Sequence, residues 1–484
     1  MKTKVARSLA ILLALLFSCS PAWATCGGGG GGGGGGMSGG GGSDMKVYYV
    51  PWKVRAPQDP PVAMGLVLYW FPATTEEVQK SSLRASRTLS LYAAQCVAME
   101  LADYRTDTGK KLLGDSKPPV AVLATPEGTP ISKLENKDGK LNVSDVEKLV
   151  ESEVKKRESA LDEQLKSGKD KAKAGDTEVA IKLFRAVQAE KCMFPGKAKD
   201  AAKELKKLGV TDVAELPAAP IFDARTSARI EQTMRAGLRA EMGARYVAAE
   251  QLYTRAHLLD PADPTPLRYL GELYRHHIGD WDKARATFEA ILNMPADPLS
   301  RAVAQHGLGK MTIHEGEFKK GLALMEASVA TYPLALAYRN LAVYWNSEGD
   351  AVKTDFYVQQ ALALEPRDPY NLIFAAVFKA AAGHGDEALQ IARANEALLP
   401  ASYNLAAIYA QNGQRDKALA LLRRHFFQYE RYQSVRAKEM MEARVDAVFN
   451  SIRENPTFIA LTAGADGRLP MPHKTMGAPS SINK

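Results

Sequence analysis

The apolar positions fall into two regimes along the chain. From Met45 to Leu134 they come in short β-branched and aromatic runs: Val47–Val50, Gly65–Phe71, Val97–Leu101, Val120–Ala124 and Pro130–Leu134. Such runs, bounded by turn residues, predict strands. One helix interrupts them at Ser82–Gln95, with Leu83, Leu89, Leu91, Tyr92 and Ala93 as its apolar positions. From Val143 the spacing changes. Val146, Leu149, Val150 and Val154 recur at helical intervals and predict a helix to Glu158. Residues 159–209 continue helical, with Ile181, Leu183, Phe184 and Val187 before the Pro195-Gly196 break and Ala201, Ala202, Leu205 and Leu208 after it. Residues 210–223, with Pro217 and Pro220, read as a linker.

The longest patterned stretch runs from about Arg229 to Glu430. Pro261, Pro295, Pro333, Pro366 and Pro400 are spaced 34, 38, 33 and 34 residues apart. A glycine falls between successive prolines: Gly279, Gly316, Gly349 and Gly383, with Gly243 before the first and Gly413 after the last. Glycine supplies the turn between two helices, and proline cannot continue the second helix. Ala256, Ala290, Ser328, Ala361 and Asn395 stand five residues before the prolines, so a small residue usually precedes the stop. Each unit resembles a tetratricopeptide (TPR) repeat. Residues 335–368 carry the fullest match, with Leu341-Ala342, Trp345, Gly349-Asp350, Ala361 and Pro366. Residues 264–297 follow with Leu270-Gly271, Tyr274, Gly279-Asp280-Trp281, Ala284, Phe288, Ala290 and Pro295. Residues 302–333 depart from the pattern at Gly321, where alanine is usual. The resemblance implies an all-α solenoid of about six helical hairpins over residues 224–464. Val445, Val448, Phe449, Ile452, Phe458 and Leu461 would form its closing helix.

The order β, β, α, β, Pro-Pro, β-hairpin, α over residues 45–158 resembles the thioredoxin fold, with Pro119 in the place of that family's cis-proline. The chain departs from the family at its chemistry. Where the family carries Cys-x-x-Cys, this sequence reads Pro72-Ala73-Thr74-Thr75-Glu76-Glu77. Thiol exchange needs an attacking thiolate and a resolving thiol. The resemblance therefore implies an α/β thioredoxin-like domain without redox activity.

The start of the chain adds a destination. Lys2, Lys4 and Arg7, the apolar run Leu9–Phe17 and Ala22-Trp23-Ala24 read as an export signal over residues 1–24. Leu16-Phe17-Ser18-Cys19 is a competing lipobox, which would put a lipid on Cys19. The protein is expected to be periplasmic or secreted, or a lipoprotein on the envelope. Residues 25–44 are nearly pure glycine and read as a flexible tether, and residues 465–484 as a disordered tail.

Composition narrows the chemistry. The chain is 46% hydrophobic and 24% charged, with a net charge of +8 from 63 basic and 55 acidic residues. No basic block interleaved with aromatics points to nucleic acid. No stretch beyond the signal is long and apolar enough to cross a membrane. Cys19, Cys26, Cys96 and Cys192 are too few and scattered for a disulfide scaffold, and Cys96 and Cys192 read as two packed thiols with pairing open. The eight histidines match no metal-ligand spacing, and no catalytic or cofactor motif appears, so no catalytic, metal or cofactor residue is assigned. What remains is the inner face of the array. Carried over from the TPR pattern, Arg268, Glu272, Arg275, His306, Lys310, Arg339 and Asn346 point inward, with His276 and His314 beside them. The set is basic and polar and suits an acidic segment of a protein or peptide partner. The expectation is a non-enzymatic interaction scaffold. The alternative is a thiol-redox or chaperone-type accessory protein acting through Cys96 or Cys192.

Overall fold

The computed structural model describes residues 45–54, 62–212, 218–398, 401–429 and 433–464. The signal, lipobox, tether and tail lie outside the described residues.

The N-terminal part is a five-stranded mixed sheet with helices around it. Its strands are β1 (Lys53–Val54), β2 (Leu66–Phe71), β3 (Val97–Leu101), β4 (Val120–Ala124) and β5 (Pro130–Glu135), in the spatial order β1-β3-β2-β4-β5. β3 pairs parallel with β1 and β2, while β4 runs antiparallel to both β2 and β5. The peptide between Pro118 and Pro119, just before β4, is cis, as expected for Pro119. Three short helices connect the strands: α1 (Thr75–Lys80), α2 (Arg87–Ala94) and α3 (Asp107–Leu113). α1 occupies the segment where a Cys-x-x-Cys was sought. Thr74 caps it by accepting the Glu77 amide at 3.1 Å.

Two expectations about this region change. Val47–Val50 is not a strand. Val47 and Tyr48 instead pack into the core of the helical array, and Val50 and Trp52 into the core of the sheet. The helix expected to end at Glu158 runs unbroken as α4 (Val143–Lys173). α5 (Thr177–Ala189) and α6 (Pro195–Lys207) then fold back on it, and Leu161, Leu165, Phe184 and Leu205 share one core with the sheet. Cys96 and Cys192 are joined in a disulfide that closes a separation of 96 residues, so they are not two separate packed thiols.

The rest is helical. Six hairpins follow among the described residues: α7 (Ala224–Met242) with α8 (Tyr246–Leu259), α9 (Pro264–Glu272) with α10 (Trp281–Asn293), α11 (Pro298–His314) with α12 (Phe318–Thr331), α13 (Ala335–Ser347) with α14 (Ala351–Leu364), α15 (Pro369–Ala381) with α16 (Gly385–Ala394), and α17 (Ser402–Gln411) with α18 (Arg415–Arg424). α9 is prolonged by a π-helical turn, Leu273–Ile278. Beyond α18, α19 (Gln433–Val445) and α20 (Pro456–Thr462) close the array. Gly279, Gly316, Gly349, Gly383 and Gly413 hold positive φ at the turns, and Ala244 takes that place in the first hairpin. Three first helices start alike, with Asp263, Asp297 and Asp368 as caps and Pro264, Pro298 and Pro369 as the first residue.

Small residues set the spacing of the hairpins. A Cβ added at Gly321 would lie 2.5 Å from the Gly309 carbonyl oxygen and 2.5 Å from Ile313 Cγ1. α11 and α12 approach too closely for alanine, which explains the departure at that position. Phe288 is held between two glycines. A Cβ at Gly271 would meet its ring at 2.4 Å, and one at Gly307 at 2.3 Å.

Sheet and array meet along the segment that precedes β1. Tyr269 Oη donates to the Val47 carbonyl at 3.1 Å, and Tyr48 Oη to Asp263 at 2.7 Å. Further on, Trp52 Nε1 donates to the Leu83 carbonyl at 2.8 Å, inside the sheet domain. At the same junction Arg87, the first residue of α2, reaches into the array.

Candidate functional site

The first helices of units two and three carry five of the seven candidate residues. Arg268, Glu272 and Arg275 stand on α9 and its π turn, and His306 and Lys310 on α11. Arg268, Glu272, Arg275 and His306 are all buried rather than solvated. Arg339 on α13 is half-buried, and Asn346 at the far end of that helix is exposed.

The cluster is organised around one carboxylate. Arg275 holds Glu272 with two hydrogen bonds, of 3.3 and 2.8 Å. His276 Nε2 lies against Arg275 Nη2 and 3.2 Å from Glu272 Oε2. Burial opposes charge on Glu272, but Arg275 and His276 outweigh it and hold the carboxyl down at about 2. The same burial, with Arg275 beside it, pushes His276 down to about 3. Burial and Arg275 also push His306 well below the ordinary histidine value. His306 Nε2 is 2.7 Å from Asn340 Nδ2 on the next unit, so this pair links α11 to α13.

The cations divide by partner. Arg339 bonds Asn371 and lies 3.9 Å from Asp368, the cap of α15. Lys310 is pushed down by burial and by Arg275, with Glu442 and Glu439 acting the other way. Arg268 is 1% exposed, stacks 5.7 Å from the Tyr269 ring, and its Nε has no acceptor among the described residues.

The sequence reading had no place for the closing helix at this face. Glu442 of α19 pairs with His314 at 2.9 Å, and Glu439 with His425 at 3.0 Å. Two carboxylates one helical turn apart are visible in the sequence, but their landing points on units three and six depend on the curvature of the array. Among the described residues no helix is long and apolar enough to cross a membrane.

Comparison with known proteins agrees with the helical part. The tetratricopeptide repeat family matches residues 267–302, which cover nearly all of unit two and the start of unit three. The chain is 25% identical over 232 residues to the protein CTR9 homolog of Arabidopsis thaliana, over 37% of this chain. It spans 21% of that relative's length. Among solved structures, a thermophilic TPR protein of Thermus thermophilus is 22% identical with a TM-score of 0.30, over 40% of this chain and 99% of that one. The Cut9–Hcn1 hetero-tetramer of the APC/C is 14% identical with a TM-score of 0.33, over 82% and 84%. The family match thus places one tetratricopeptide repeat within the helical hairpins.

Proposed function

We propose that this protein is an exported, non-enzymatic interaction scaffold. In this reading a thioredoxin-like domain without redox chemistry is joined to a TPR array whose inner face takes a protein or peptide partner. The observation that carries it is the placement of Arg268, Arg275, Lys310 and Arg339 on the first helices of three successive units, with Glu272 as the one carboxylate of the set. That excess of positive charge favours an acidic segment. Much of it is already offset by Glu272, Asp368 and the two carboxylates Glu439 and Glu442 of α19, so in this reading Asn346 on α13 is where a partner first makes contact.

The disulfide supports export, because such bonds persist in oxidising compartments. It also weighs against the redox alternative. Cys96 and Cys192 are bonded to each other across two elements and form no Cys-x-x-Cys. The retained order of strands and helices supports the thioredoxin-like reading of residues 45–158.

The test places a photo-crosslinking residue at exposed Asn346, or at Val352, which is 81% exposed on the second helix of the same unit. The protein is irradiated in its native envelope fraction. A partner crosslinked from position 346 and not from 352 supports the inner-face reading. A partner crosslinked only from 352 overturns it.

A further inference from the structure

We infer that the turn Asp260–Asp263 is a guanidinium-receiving site, filled in cis by Arg87 of the sheet domain, and that this contact latches the sheet domain to the array. The proposal stands apart from the inner-face reading and needs no partner.

The site is built from three segments. Arg87 Nη2 donates to Asp260 Oδ2 at 2.5 Å and Nε to Asp263 Oδ2 at 3.0 Å. Nη1 donates to the Ile221 carbonyl and to Ser227 Oγ, each at 2.8 Å. Four acceptors in fixed directions match the planar fork of a guanidinium, and an ammonium could not meet them together. Arg87 is 2% exposed, Asp260 1% and Asp263 0%. Emptied, the site would hold two buried carboxylates with no cation between them. Tyr48 Oη donates to the same Asp263 Oδ2, so the segment before β1 is fixed by the same contact.

The array shows why the arginine comes from outside. Arg268 stands 29 residues before Asp297, and Arg339 stands 29 before Asp368. Each is a cation on one first helix acting on the capping aspartate of the next. The residue 29 before Asp263 is Met234, fully buried in the apolar core. At this junction alone among the three, the unit before supplies no charge. Arg87 supplies it from the sheet domain.

The test uses the full chain with Arg87→Ala and amide hydrogen exchange. The Ile221 amide, which donates to Asp260 Oδ2 at 2.9 Å, reports on the site, and amides of α17 serve as a distant control. Exchange at Ile221 and across residues 47–52 is expected to rise by about tenfold or more, with α17 unchanged. Millimolar ethylguanidinium should return it toward the wild-type rate, and ethylammonium at equal ionic strength should not. Rescue by ethylguanidinium supports the proposal even if the variant is broadly destabilised. Unchanged exchange in Arg87→Ala overturns it, and so does equal rescue, or none, by the two cations.

Discussion

At the scale of single residues, packing and propensity oppose each other most clearly at Phe288. Replacing Gly307 by alanine should favour the helix by about 1 kcal/mol on propensity alone. The new Cβ would lie 2.3 Å from the Phe288 ring, which Gly271 confines on its other side. The ring cannot retreat, so overpacking wins, and Gly307→Ala is expected to lower stability by about 1–3 kcal/mol in denaturant melts. Shortening the ring in Gly307→Ala with Phe288→Leu should recover part of that loss, and strictly additive effects would contradict the confinement. A second residue sets a pH dependence. Burial, with Asp368 beside it, pushes Glu365 up to about 7. A carboxyl raised in the folded state stabilises most below its unfolded value near 4.5 and loses that contribution as pH rises toward 7. Glu365→Gln should therefore gain on the wild type between those two pH values, by on the order of 3 kcal/mol. Parallel stability curves for the two proteins would count against it.

At the scale of elements, what was legible in the sequence was what is local. The turn glycines, the closing prolines and the small residue before each stop are fixed by contacts within one hairpin, so the six hairpins could be read from spacing. The Asp-Pro starts at Asp263, Asp297 and Asp368 were equally visible and would have sharpened the helix boundaries. The seven candidate positions could be named from the repeat pattern, but the burial of Arg268, Glu272, Arg275 and His306 could not, since it depends on contacts between elements far apart in the chain. Val47–Val50 shows the same limit. Its β-branched and aromatic composition suits a strand, yet the hydrogen-bond partner of Val47 lies 222 residues away on Tyr269. The disulfide is also non-local, and it yields a prediction. Replacing Cys96 and Cys192 by serine frees a loop of 96 residues and should cost about 2–4 kcal/mol. The loss should appear in the sheet and α4–α6, which share a core, and spare the distant hairpins. With a thiol reductant the wild type should turn over a protein disulfide no faster than buffer. A rate above buffer that disappears in the serine variant would restore the redox alternative.

At the scale of the whole molecule, the cores show how cooperativity should be divided. One cluster joins Val47 and Tyr48 to the first three hairpins, and a separate one holds α15 to α20 together. Leu341, Tyr357 and Phe374 form a smaller cluster between them. A repeat array transmits stability mainly between neighbours. The N-terminal segment is continuous with the sheet core at Val50 and Trp52, so the sheet domain and the first hairpins should unfold as one unit. The last two hairpins with their closing helices should unfold as another. Val47→Asp tests this, because it places a carboxylate where only 2% of the side chain is exposed. An unpaired buried charge is strongly disfavoured, and an aspartate here would either disrupt the packing or release the segment from the array. Calorimetry of the wild type should resolve two transitions. In Val47→Asp the one containing the sheet and the first hairpins should fall by several degrees, while the one belonging to α15–α20 stays in place. If both fall together, the small central cluster couples the whole array. If neither moves, the segment before β1 contributes nothing to holding the sheet domain on the array.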